Sequence, residues 1–181
     1  MIKLKSMIPL KTETILKGLK VISWIAFIGF SIQAGAMLVS LFICLKNPEA
    51  AENFYGGINL LELRNEGTYL FLIYAGNHVL VAFFKAYVWY LVIGLMSKFS
   101  LKNPFSMEVI GKLEKISMAL FVTWITLILG NMEDNYLHYT MQRRFGSPVG
   151  GEFLFMAGLV FVISQIFKRG VEIQSENELT I

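Results

Sequence analysis

Four side chains able to bond or hold charge stand inside long apolar runs: Gln33 in the first run, and Asn77, His78 and Lys85 in the second. Thr123 and Thr126 lie at similar depth in a third run. Lys85 is near the middle of its run, Tyr69–Met96, where a charge costs at least about 2.5–3.5 kcal/mol to place in a bilayer. His78 and Lys85 are seven residues apart, within about 20° of each other on a helix, and Ala82 and Trp89 join the same stripe. No acidic residue is expected at that depth. Lys85 must therefore lose its proton, bond to Gln33 and backbone carbonyls, or hold an anion. Two readings follow. One is a structural hydrogen-bond network with the lysine stem snorkelling along apolar surface. The other is a ligand or ion site made of Gln33, Asn77, His78, Lys85 and Thr123.

Other chemistries find less support. Haem between membrane helices commonly uses paired histidines, and no other run offers a partner for His78; His138 falls in a connection. Glu133, Asp134 and His138 are close in sequence. If the third helix continues outward, Asp134 and His138 stand at i, i+4, a spacing that suits a divalent metal, but a solvated helix end explains them equally simply. No metal and no cofactor is assigned. Cys44 is the single cysteine, so it forms no intramolecular disulfide and no electron-relaying pair. There is no nucleophile–base pair, phosphate-cradling glycine loop or zinc motif, so the expectation is a protein that is not an enzyme and does not itself bind nucleic acid.

The elements that must position these residues are membrane helices. Of the 181 residues, 55% are hydrophobic and 16% charged, against about 25% charged in a soluble domain. The apolar residues cluster into runs of about 21–45, 69–96, 116–132 and 153–168, with a polar tail at 169–181. A bilayer core of roughly 30 Å needs about 20 apolar residues. The fourth run is short and is expected to extend through Gly151 and toward Val171–Ile173. The fold class is all-α, an integral membrane four-helix bundle in one domain, 1–181.

Basic residues divide eleven to four between the two sides, with Lys85 buried. Lys3, Lys5, Lys11, Lys17 and Lys20 precede the first run, Lys98, Lys102, Lys112 and Lys115 surround the second connection, and Lys168 and Arg169 follow the fourth run. The positive-inside rule puts both termini of the multi-pass chain in the cytoplasm. Residues 46–68 read as an outer loop with a short helical turn near Leu60–Leu63, and 133–151 as a second outer loop ending in a glycine–proline cluster. On the inner side, Ser106 can cap a short amphipathic helix, with Pro104 in its first turn and Glu108 near its positive end, that leads into the third run. Its apolar residues Met107, Ile110, Leu113 and Ile116 suit either an interfacial helix or a docking surface.

Two segments carry a family likeness: LKNPFSMEVIGKLEKIS at 101–117 and FVISQIFKRGVEIQSENELTI at 161–181. With the four-run layout, they resemble the domain-of-unknown-function 2975 family of small bacterial four-span membrane proteins. The resemblance implies no established activity. Members are often encoded beside a Cro/CI-type helix-turn-helix regulator, which implies a sensor or membrane partner of a transcription factor. The acidic tail, with Glu172, Glu176, Glu178 and Leu179, is the candidate surface for such a partner; a solvated helix extension is the plainer reading. The bilayer is the other expected partner, and self-association is open. The alternative function is a small transporter or ligand-binding membrane protein using Gln33, His78 and Lys85.

Overall fold

The computed structural model describes residues 4–98, 105–142, 145 and 150–178, with side chains described from residue 14 to residue 176 within those ranges. Helix α1 spans Leu4–Lys46, α2 Leu61–Glu66, α3 Thr68–Lys98, α4 Met107–Met141 and α5 Gly151–Glu178, with a 3₁₀ turn at Pro48–Asn53. Four of these helices are long and apolar enough to cross a membrane. They pack in chain order, α1 on α3, α3 on α4 and α4 on α5, to form a four-helix bundle. The ring is not closed: among the described residues, α1 and α5 nowhere bring Cα atoms within 8 Å of each other.

The helices outrun the apolar runs that signal them. A hydropathy boundary marks where lipid ends, whereas a helix stops only at a cap or a breaker. Hence α1 starts at Leu4, and the lysines at 17 and 20 are helical rather than part of an irregular tail. Likewise α4 continues nine residues past Met132 to Met141, where Gln142 reverses the chain in the left-handed region at φ 53°. At its other end Ser106 caps α4, its hydroxyl accepting from Val109 N–H at 3.3 Å, with Glu108 in the first turn. Pro104 lies outside the described residues. The amphipathic stretch and the third run form one unbroken helix. Ile110, Leu113 and Ile116 are buried against the bundle and only Met107 is exposed, so this face is neither interfacial nor free to dock a partner.

Residues 47–67 form a compact cap over one end of the bundle. Asn47 accepts from Glu49 N–H at 3.2 Å, and Pro48 opens the 3₁₀ turn. Ala51, Phe54, Leu60 and Leu63 are all fully buried, so the cap has a core of its own, continuous with Phe71 and Tyr74 of α3. Arg64 ties it down. Its Nε donates to the Cys44 carbonyl at 3.3 Å, Nη2 to Leu45 at 3.5 Å and Nη1 to Thr68 Oγ1 at 2.6 Å. The guanidinium also sits 5.8 Å from the Phe71 ring. It therefore satisfies carbonyls that the end of α1 leaves orphaned. Arg64→Ala is expected to lower stability by about 1–3 kcal/mol, read as an earlier thermal unfolding midpoint in detergent. Arg64→Lys should recover only part, because one ammonium cannot span three acceptors.

Side-chain pairings set the levels of the helices. Tyr74 meets Asp134, Gly94 meets Lys112, and Lys98 pairs with Glu108 at 3.0 Å, so α3 and α4 run antiparallel over most of their length. Leu127 abuts Gly150, the Ser117 hydroxyl donates to the Ala157 carbonyl at 2.9 Å, and Phe105 packs on Phe167 with ring centroids 5.1 Å apart. Thus α5 begins beside the middle of α4, not beside its end. The chain that follows α4 returns into the bundle, with Phe145 N–H donating to Asp134 at 2.9 Å and its ring packing on Tyr74. Within 133–151, residues 133–141 are helix rather than loop, and Asp134 is 4% exposed.

Candidate functional site

Residues Gln33, Asn77, His78 and Lys85 line one cavity of about 340 Å³ between α1, α3 and α4. Met37, Val81, Ala82 and Leu127 supply its apolar wall, and Ile58 of the cap closes its end. Lys85 also borders a second, more apolar cavity of about 530 Å³ that includes Phe30, Trp89, Ile116, Leu120 and Phe153. The two adjoin at Lys85. Together they make a trough floored by α3, with α1 on one side and α4 and α5 on the other.

The polar residues of the trough have different commitments. The Asn77 amide, oriented so that both its ends are satisfied, donates to the Thr126 carbonyl at 3.2 Å and accepts from Gly130 N–H at 2.9 Å. It is mainly α3–α4 glue. His78 Nδ1 lies 3.0 Å from the Tyr74 carbonyl one turn back, and the ring stacks on Tyr74 at 4.7 Å. That contact orients the imidazole, which lines the trough. Gln33 is half-buried and, among the described residues, has no side-chain hydrogen bond. Lys85 is half-buried too. Its recorded contact is the Phe153 ring, with Nζ 5.8 Å from the centroid, a cation–π distance.

Three expectations change here. Thr123 is not among the residues lining the cavity: it is fully buried and its hydroxyl donates to Ala119 of its own helix at 2.7 Å. Asp134 and His138 do not converge either. Asp134 turns inward to Tyr74 and Phe145 while His138 is exposed, and no group of three or more metal-ligating side chains occurs among the described residues. Finally, the depth of Lys85 does hold an acid. Glu152, in the first turn of α5, lines the same cavity as Lys85. A carboxylate at a helix N-terminus is favoured by the helix dipole. Sequence reading missed Glu152 because the glycine cluster before it looks like a surface turn. The signal was the fourth run itself, too short for a bilayer core and therefore able to start inside it.

At the other end, Glu172 and Glu176 are exposed on α5. Glu172 pairs with Arg169 at 2.8 Å, so its charge is partly committed within the helix. The side chain of Glu178 and all of Leu179 lie outside the described residues.

No curated protein and no solved structure matches the chain. The family described as protein of unknown function DUF2975 matches residues 46–181, covering the cap and α2–α5 but not α1. With four apolar helices of spanning length, the chain is a small multi-pass membrane protein belonging to the DUF2975 family.

Proposed function

We propose that the protein is a non-enzymatic sensor of the bacterial inner membrane, with both termini in the cytoplasm, that passes the state of its trough to a cytoplasmic helix-turn-helix regulator. One observation carries the reading: α5 joins the two places such a device needs. Its first turn supplies Glu152 and Phe153 to the trough beside Lys85, and its far end presents Glu172 and Glu176 on an exposed surface. The connection is a single helix of about 42 Å at 1.5 Å per residue. Among the described residues its backbone comes close to α4 alone and it meets α3 only through side chains such as Phe153, so it can tilt without dismantling the α1–α3–α4 core. A change at Phe153 is then a displacement at Glu172. Electrostatic attraction to a basic surface of the regulator would give the contact its direction. The transporter alternative draws less support, because the packed cap seals one end of the path.

The test is removal of residues 172–181. The truncated chain keeps every buried residue of α5 and should insert at normal levels. It should lose co-purification of the regulator and alter transcription of the regulator's targets. Unchanged recovery and unchanged transcription would sink the sensor reading. Disappearance from the membrane would show that the tail has a structural task instead.

A further inference from the structure

Resting on the reading of the trough as a sensing site, we propose its ligand class: a single-chain amphiphile with a singly charged anionic head, a long-chain carboxylate, that enters sideways from the bilayer.

The route of access comes first. Ala51, Phe54, Leu60 and Leu63 are at most 2% exposed, so the cap has a packed core rather than a channel through its middle. Among the described residues, no backbone contact closes the seam between α1 on one side and α4 and α5 on the other, and the two cavities lie along it, the cap-side one between α1 and α4 and the second between α1 and α5. A ligand that reaches Lys85 by this seam must already be dissolved in the membrane. The division of the trough comes next. The cap-side cavity carries the polar groups Gln33, His78 and Lys85, whereas the second is lined mainly by Phe30, Trp89, Leu120 and Phe153. From Lys85 to Val92 the apolar floor runs about 10 Å at 1.5 Å per residue, so a long chain with its head at Lys85 beds its first carbons there and leaves through the seam into the bilayer. Each cavity is within the usual range of roughly 300–1,000 Å³ for small ligands.

Charge decides the head group. Among the described residues Lys85 has no carboxylate within ion-pair distance and no hydrogen-bond acceptor, only the Phe153 face. An incoming anion would gain a charge-assisted bond there and could add the Gln33 amide as a donor. Glu152 at the same level works against a second negative charge. A carboxylate is thus favoured over a phosphate monoester, and a neutral alcohol forfeits the Lys85 bond.

Trp89 in the trough supplies the readout. A chain carrying Trp24→Phe and Trp124→Phe, with Trp89 as sole tryptophan, would be placed in phosphatidylcholine nanodiscs and titrated with 9,10-dibromostearate. Saturable quenching is expected, together with a saturable displacement when unlabelled stearate is added. The dibrominated alcohol of the same chain should bind about tenfold or more weakly, as should dibromostearate to the same chain with Lys85→Met. The monoacyl phosphate should fall below the carboxylate. As a check free of the tryptophan changes, native mass spectrometry of the wild-type chain should retain stearate in preference to stearyl alcohol. Equal binding of acid and alcohol, indifference to Lys85→Met, or quenching that never saturates would overturn the assignment. Preference for the phosphate over the carboxylate would overturn the role of Glu152 and with it the head group. Binding as expected, with regulator recovery unchanged by ligand and by the tail deletion, would refute the sensor reading while this site stands. Regulator release on another stimulus, without binding, would refute this ligand and leave the sensor.

Discussion

Substituting Gly150 by alanine is expected to lower stability by about 1–3 kcal/mol, the range for overpacked sites, and to loosen α5 from α4. A Cβ at this position would lie 2.9 Å from both Cβ and Cδ1 of Leu127. The Leu127 Cβ cannot swing aside as the tip of a side chain could, so the backbones must part. Gly130 makes a useful contrast. Its Cβ would fall 2.5 Å from the amide end of Asn77, a group that can rotate away at the loss of two hydrogen bonds. Interhelical hydrogen bonds in membranes average about 0.6 kcal/mol, so Gly130→Ala should cost less than Gly150→Ala. The check is a double-mutant cycle with Leu127→Ala, measured by reversible unfolding in mixed micelles. Leu127→Ala alone should cost about 2–5 kcal/mol by cavity formation. Combined with Gly150→Ala it should cost at least 1 kcal/mol less than the sum, because the new methyl fills part of the new hole. Additivity would mean that Gly150 and Leu127 do not oppose each other as described.

The second large effect concerns charge in the trough. Lys85→Glu should reduce folded protein in the membrane, with a destabilisation of about 2 kcal/mol or more, since juxtaposed like charges cost several kcal/mol. The reason is Glu152: although exposed, it lines the same cavity as Lys85, so the substitution would set two carboxylates against each other there. Lys85→Met should fold, as a similar stem without the charge. The decisive variant is Lys85→Glu with Glu152→Lys. Exchanging the two signs restores one cation and one anion to the trough and should recover most of the lost protein, seen by size-exclusion yield and thermal midpoint. If the exchange leaves the yield as low as Lys85→Glu alone, Glu152 does not share the environment of Lys85.

Much of the bundle could be read directly from residue types. Four helices of spanning length, the Ser106 cap and the continuity of the amphipathic stretch with the third run all follow from local rules about apolar length and capping. The convergence of Gln33, Asn77, His78 and Lys85 was also readable, because polar groups at one depth in lipid have reason to face one another. Three things were not readable. Thr123 satisfies its hydroxyl on its own helix, an option open to any helical threonine and invisible in spacing. The role of Asp134 depends on Tyr74 and on Phe145, a residue eleven positions downstream, brought back by a chain reversal at Gln142. The depth of Glu152 depends on where α5 starts against α4, which Gly150 and Leu127 set by close approach. Helix registry is a property of pairs of surfaces, and hydropathy describes one segment at a time.

The midpoint start of α5 has a mechanical consequence. If α3 is centred in the bilayer, its middle falls near Lys85, so the leaflet on the cap side contains three helices and the opposite leaflet four. The protein is then a wedge, wider in one leaflet than in the other. Lateral pressure that differs between leaflets exerts a net torque on such a shape, and crowding of acyl chains in the wider half would press α5 toward the seam. Composition and curvature of the membrane itself thereby enter the same balance that sets the tilt of α5.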